Sequence, residues 1–152
     1  MSEARPESAR ELITFRVGEQ EYGVEITEVR EIRGWTPATP LPRTPDYVRG
    51  VINLRGTVLP VVDMAARMGL PVSEPTERSV IVVVWIRGQL VGLLVDAVCD
   101  ILVVTEEELQ ATPELVGAEA HEFVSRLLSA DERMVALIRP EALLPPQELQ
   151  AA

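Results

Sequence analysis

Apolar residues along this chain recur mostly with period two, in runs rich in Val and Ile that end at glycine-containing turns, and helical periodicity is short and rare. The pattern predicts a mostly β protein assembled from hairpins. Leu12 to Val17 puts Ile13, Phe15 and Val17 on one face, and Gly18-Glu19-Gln20 turns the chain into a return strand over Tyr22 to Ile26. Further hairpins are predicted from Val51–Leu54 and Thr57–Val62 about Arg55-Gly56, and from Ser79–Ile86 and Leu90–Val98 about Arg87-Gly88. Phe123–Leu128 and Arg133–Ile138 about Ala130-Asp131 make a fourth. Short helical turns are expected at Thr27–Ile32, at Asp63–Met68 with Asp63 as N-cap, at Glu106–Gln110 behind Thr105, and from about Pro140. The acids of Glu106 to Glu108 suit the first turn of such a helix. Thr36–Pro45 carries four prolines and must run extended. Pro71–Thr76 reads as a loop and a subdomain boundary, and Pro145-Pro146 ends regular structure.

The elements repeat. YGVEITEVREI from Tyr22 aligns with VGLLVDAVCDI from Val91 at a constant offset of 69, matching Gly23 with Gly92, Val29 with Val98, Ile32 with Ile101 and Glu31 with the acid Asp100. RGTVLPVVDM from Arg55 likewise resembles ERMVALIRPE from Glu132, each a turn, an apolar strand and a helix start. The expected architecture is two similar small β-barrels. Barrels of this size bury little alone, so they are expected to share an apolar interface.

Length and composition agree with one folded unit of two subdomains: 152 residues, 47% hydrophobic and 25% charged. The net charge of −10, with all cations Arg and no basic stripe, disfavours nucleic acid and anionic membrane surfaces. The longest apolar run, Val80 to Ile86, is far below the roughly 20 residues of a membrane helix and reads as a buried strand. The polar N-terminus has no signal-like apolar core, so a cytoplasmic location is expected.

Catalytic chemistry is poorly supplied. His121 is the single histidine and Cys99 the single cysteine, the latter expected to be a small buried hydrophobe in VDAVCDIL. Burial raises a thiol pKa, which argues against a Cys99–His121 nucleophilic pair. Two such residues cannot close a zinc site, and no glycine-rich phosphate loop is present. Neither cofactor nor metal is expected.

EYGVEITEVREIRGW, followed by LPRTPDYVRGVINLRGTVLPVVDM and then VIVVVWIRGQLVGLLVDAVCDIL, resembles the CheW family of bacterial chemotaxis adaptors from about Leu12 to Leu144. The resemblance implies two intertwined five-stranded SH3-like β-barrels sharing a hydrophobic core, with short helices. Residues 1–11 would be an arm, 12–144 the domain and 145–152 a tail. The first barrel is placed at roughly 12–70, the second at roughly 77–139, and a closing helix from about 140. It implies a non-catalytic scaffold between the cytoplasmic tip of a chemoreceptor and the regulatory domain of a CheA-type histidine kinase, recruited to receptor arrays.

Matched position by position, the resemblance implies receptor contact for Arg55, Glu31 and Val29, and places Val98 and Ile101 in the kinase-facing region. The residues themselves allow plainer roles. Arg55 sits at a turn, Glu31 could pair with Arg30 or Arg33, and Val29 could be core. Val98 and Ile101 are expected inside the second barrel. Gly50 and Gly56 are expected to serve positive φ or close backbone approach. A related adaptor of a non-flagellar chemosensory pathway, or a small-ligand sensor using a barrel mouth, are the alternative readings.

Overall fold

A computed structural model describes residues 9–111, 122–130 and 132–144. His121, Asp131 of the fourth turn, most of the N-terminal arm and the 145–152 tail lie outside them. Two strands, β1 (Arg10–Val17) and β2 (Gln20–Glu25), lead through a 3-10 turn at Ile26–Glu28 into β3 (Val29–Gly34). After the proline-rich connection come β4 (Val48–Leu54), β5 (Thr57–Asp63) and helix α1 (Met64–Met68). The same order returns as β6 (Val80–Ile86), β7 (Gln89–Val95) and β8 (Ala97–Val104), then a second 3-10 turn at Glu106–Glu108 and the short β9 (Leu109–Ala111). The chain then forms β10 (Val124–Ala130), β11 (Arg133–Ile138) and helix α2 (Pro140–Leu143).

These strands make a six-stranded sheet, β8-β1-β2-β11-β10-β9, and a five-stranded sheet, β3-β6-β7-β5-β4. The repeat is thus structural: β1-β2-β3 corresponds to β6-β7-β8, and β4-β5-α1 to β10-β11-α2. The two repeats exchange strands, however. The β1–β2 hairpin completes the sheet of β8, β10 and β11, and the β6–β7 hairpin completes that of β3, β4 and β5. Dividing the barrels at residues 70 and 77 therefore does not follow the hydrogen bonding, because parallel pairs β2–β11 and β5–β7 cross the Pro71–Thr76 loop.

The exchange explains the apolar run of β6. Val82, Val84 and Ile86 enter a central cluster with Phe15, Tyr22, Val24, Val62, Leu93, Phe123, Ile138 and Leu143, drawn from both sheets. Ile81 and Val83 point the other way, into the interior of the five-stranded barrel with Ile52, Leu54, Leu59, Val61 and Leu94. A strand buried on both faces loses its polar alternation. The six-stranded barrel has its own interior of Leu12, Val104, Leu109, Leu128, Val135 and Leu137.

Side chains at the ends of elements lock the barrels together. Asp63 caps α1, its Oδ1 accepting from the Ala66 amide at 3.2 Å, while Oδ2 accepts from Arg49 Nε at 2.9 Å. Arg67 of α1 lies over the Tyr47 and Phe123 rings at 4.5 and 4.7 Å and donates to the Leu143 and Ala142 carbonyls at 2.7 and 3.3 Å. Arg87 donates to the Leu144 carbonyl at 2.6 Å. Two guanidinium groups thus satisfy carbonyls at the end of α2, which have no partner within so short a helix.

Several local expectations are corrected. Thr27–Ile32 is helical only over Ile26–Glu28, because Val29 to Gly34 pair with β6 and the tertiary ladder overrides the local helix signal. Glu106–Gln110 is a 3-10 turn only as far as Glu108, where Thr105 N donates to Glu108 Oε1 at 2.8 Å, and Leu109 begins β9. The strand expected over Leu90–Val98 breaks at Asp96, whose Oδ2 accepts from the Gly18 amide at 2.7 Å and whose own amide donates to the Arg16 carbonyl at 2.9 Å. The chain beyond it starts β8.

Candidate functional site

Arg55 and Gly56 form the two-residue β4–β5 turn with φ of 51° and 91°, the paired positive values of a type I′ hairpin. The Asn53 side chain accepts from the Gly56 amide at 2.8 Å and fixes the turn. Arg55 is thereby presented at a hairpin tip, its side chain 61% exposed. From there it reaches the edge strand β3 and forks onto Glu31, with Nη1 to Oε2 at 3.5 Å and Nη2 to Oε1 closer. The contact ties β3 to the β4–β5 turn across the opening of the five-stranded barrel. The hydrogen bond from Arg55 holds the Glu31 carboxyl below the usual carboxylate range, and Glu31 in turn raises the Arg55 pKa. Arg33 Nη1 approaches the same Glu31 Oε2 at 3.5 Å, so two guanidinium groups share one carboxylate. Arg30 is exposed and takes no part in this set.

Val29 does not join them. It pairs with Val84, whereas Glu31 pairs with Val83, so Arg30 is an extra residue in the strand. Directly opposed residues share a face. Val29 accordingly packs toward the central cluster, and Glu31 lies on the face of the barrel interior. A regular strand would put Val29 and Glu31 on one side, and the extra residue separates them.

The second repeat has the same bulge in the same place. Phe15 pairs with Val98 and Thr14 with Asp100, leaving Cys99 as the extra residue, 69 positions after Arg30. Its acid, Asp100, lies 3.7 Å from Arg133 Nη1 of the β10–β11 hairpin, so the Glu31–Arg55 arrangement has a looser counterpart. Arg133 is held mainly by Glu21, whose carboxyl it lowers by hydrogen bonding.

Strand β8 is the free edge of its sheet, and this overturns two expectations of burial. Val98 is 36% and Ile101 55% exposed, with Val103 at 51% beside them. Cys99 is exposed as well, because the bulge takes it out of the ladder. Its thiol pKa is nevertheless raised, first by desolvation and then by Glu21. Gly50 lies within β4 with φ 140° and carries the backbone of Thr39, which exchanges two hydrogen bonds with Val51 at 2.8 and 2.9 Å.

A separate groove runs between the Ile26–Glu28 turn and α2, lined by Glu25, Glu28, Arg10, Arg126, Arg139 and Glu141. Arg10 reaches Glu25 and Glu106, and Arg126 reaches Glu106, so no ion pair joins Glu28 to a cation among the described residues. Partial burial, then the charges of Glu141 and Glu25, raise its pKa to about 7. The folded protein therefore holds a proton that the unfolded chain releases at its ordinary value of 4.5. The contribution of Glu28 to stability should be greatest below that value, fall as pH rises toward about 7, and level off above it. Glu28→Gln should flatten this decline in urea melts between pH 5 and 7. A carboxyl titration of Glu28 by NMR with an ordinary midpoint would contradict it.

No group of His, Cys, Asp and Glu able to hold a metal occurs among the described residues, and no helix among them is long and apolar enough to cross a membrane. The model for the CheW-like domain matches residues 11–148. The probable chemotaxis protein CheW of Rhizobium etli is 54% identical over 143 residues, covering 94% of this chain and 92% of that protein. The chemotaxis protein CheW of Rhizobium meliloti is 52% identical over the same shares. Among solved structures, the scaffolding protein TtCheW from Thermoanaerobacter tengcongensis superposes with a TM-score of 0.84 at 31% identity, covering 91% of this chain and 94% of its own. The two exchanged barrels and these relatives identify the chain as a member of the CheW-like family, a chemotaxis coupling adaptor.

Proposed function

We propose that this adaptor joins the cytoplasmic tip of a chemoreceptor to the regulatory domain of a CheA-type histidine kinase, without catalysing a reaction. Arg55, held by Glu31 at an exposed hairpin tip, carries this reading, since a guanidinium so placed can fork onto a partner's carboxylate or carbonyl groups. Val29 serves the receptor face from behind, by setting the position of β3 against the central core. The kinase face is the edge of β8, where Val98 and Ile101 offer aliphatic surface on the other barrel. Each barrel thus meets one partner, and receptor state biases the kinase through differential contact with a shared body. The protein works in the cytoplasm, gathered into receptor arrays by these contacts.

The experiment measures binding of the purified chain to a receptor signalling-tip fragment and, separately, to a kinase regulatory domain. Ile101→Glu is expected to weaken kinase binding about tenfold or more while leaving the receptor fragment bound as before. Its fold should be intact because the side chain is already more than half exposed. A folded parent protein that bound neither partner would end the proposal.

A further inference from the structure

Arg33 is out of place by the logic of its own strand. It pairs with Ile81, which is fully buried in the five-stranded barrel, so position 33 lies on the face of the barrel interior. In the other barrel the equivalent position, 69 residues on, is Leu102, paired with Leu12 and packed against that barrel's core. One repeat uses leucine and the other a guanidinium. The guanidinium is also poorly satisfied. Its Nε is buried with no hydrogen-bond partner among the described residues, and Nη1 has only the 3.5 Å approach to Glu31, whose other oxygen is taken by Arg55. An unsatisfied buried donor lowers stability, and such departures from local consistency concentrate at functional sites.

Arg33 borders a groove between β3 and β4 that Thr39, Val51, Asn53 and the 63%-exposed Val58 also line. With Arg55 it leaves one carboxylate facing two cations, a locally positive spot on a protein of net charge −10. We infer that this groove receives an acidic side chain of the receptor tip, bridged by Arg33 and Arg55, with Val58 against the aliphatic part of the same segment. The inference rests on the receptor reading of the Arg55 face and adds a second recognition residue and the chemistry of its ligand. A carboxylate supplies the acceptors that Glu31 cannot, and rotation of the Arg33 guanidinium turns the unpaired Nε edge toward it. The arginine is thus a specificity residue kept at a cost in stability.

The test compares Arg33→Leu, the residue of the other barrel, with Arg33→Lys and Arg55→Glu, using a receptor signalling-tip fragment whose surface glutamates are changed to glutamine one at a time. Arg33→Leu should raise Tm yet weaken fragment binding about fivefold or more and flatten its salt dependence. Kinase-domain binding should be unchanged. Arg33→Lys, with the charge but no fork, should recover part of the affinity. One Glu→Gln fragment should show the same loss, with no further loss when combined with Arg33→Leu. Arg33→Leu binding as tightly as the parent, while Arg55→Glu binds poorly, would overturn the role of Arg33 and leave the receptor face standing. A Tm below the parent's would make Arg33 a structural residue and also overturn it. Full binding by both Arg33→Leu and Arg55→Glu would remove the receptor face itself.

Discussion

Gly50→Val should leave little folded protein at growth temperature. A Cβ at this position would overlap the Thr39 carbonyl and lie 2.9 Å from Pro40 N, both backbone atoms that cannot swing aside. Thr39 could move only by giving up its two hydrogen bonds to Val51. The φ of 140° adds a conformation that valine rarely adopts. Together these should cost about 3 kcal/mol or more, a large part of the stability of a domain this size. Gly56, with φ 91° but open space around its Cβ position, sets the contrast. Gly56→Ala should cost only about 1–2 kcal/mol. Urea melts of the two variants measure the difference, and equal midpoints would mean that strain, not collision, governs position 50.

Arg55→Glu should produce the largest functional loss. It sets a carboxylate against Glu31 at the hairpin tip, replaces one of the two cations around that carboxylate with an anion, and removes the fork offered to a partner. Receptor binding should fall on the order of 30-fold or more. Binding of the kinase regulatory domain should be unchanged, since β8 lies in the other sheet. Because the side chain is mostly exposed, melting should be close to the parent's. A folded Arg55→Glu protein with undiminished receptor affinity would take Arg55 out of the interface.

The hairpins, their turns, the helix starts at Asp63 and Pro140 and the internal repeat were legible because each has a local cause: alternation, a positive-φ turn, a cap, a proline at the first helical position. Arg55 and Glu31 were legible as candidates, but not as partners, since a hairpin tip and an edge strand 24 residues apart meet only when the barrel closes. Three features had no local signal. A bulge inserts one residue without changing composition, so nothing local marks Arg30 or Cys99 as the extra residue, and Cys99 reads as buried. Whether β8 lies at an edge is decided by which strands neighbour it, and this made Val98 and Ile101 look like core. Arg33 could have been found by setting the two repeats side by side and asking why one has Leu102.

Because the hairpins are traded between repeats, neither half of the chain can close a barrel by itself. During synthesis β1 and β2 emerge before β8 and β11, whose last residue is Ile138, and must wait for both before their sheet has neighbours on both sides. Until then their backbone edges stay open to pairing with other chains. Contacts so distant in sequence carry a large loop-closure cost and slow the search for the native state. The five-stranded sheet, by contrast, draws all its strands from Val29 to Val95 and has every neighbour before β10 and β11 are made.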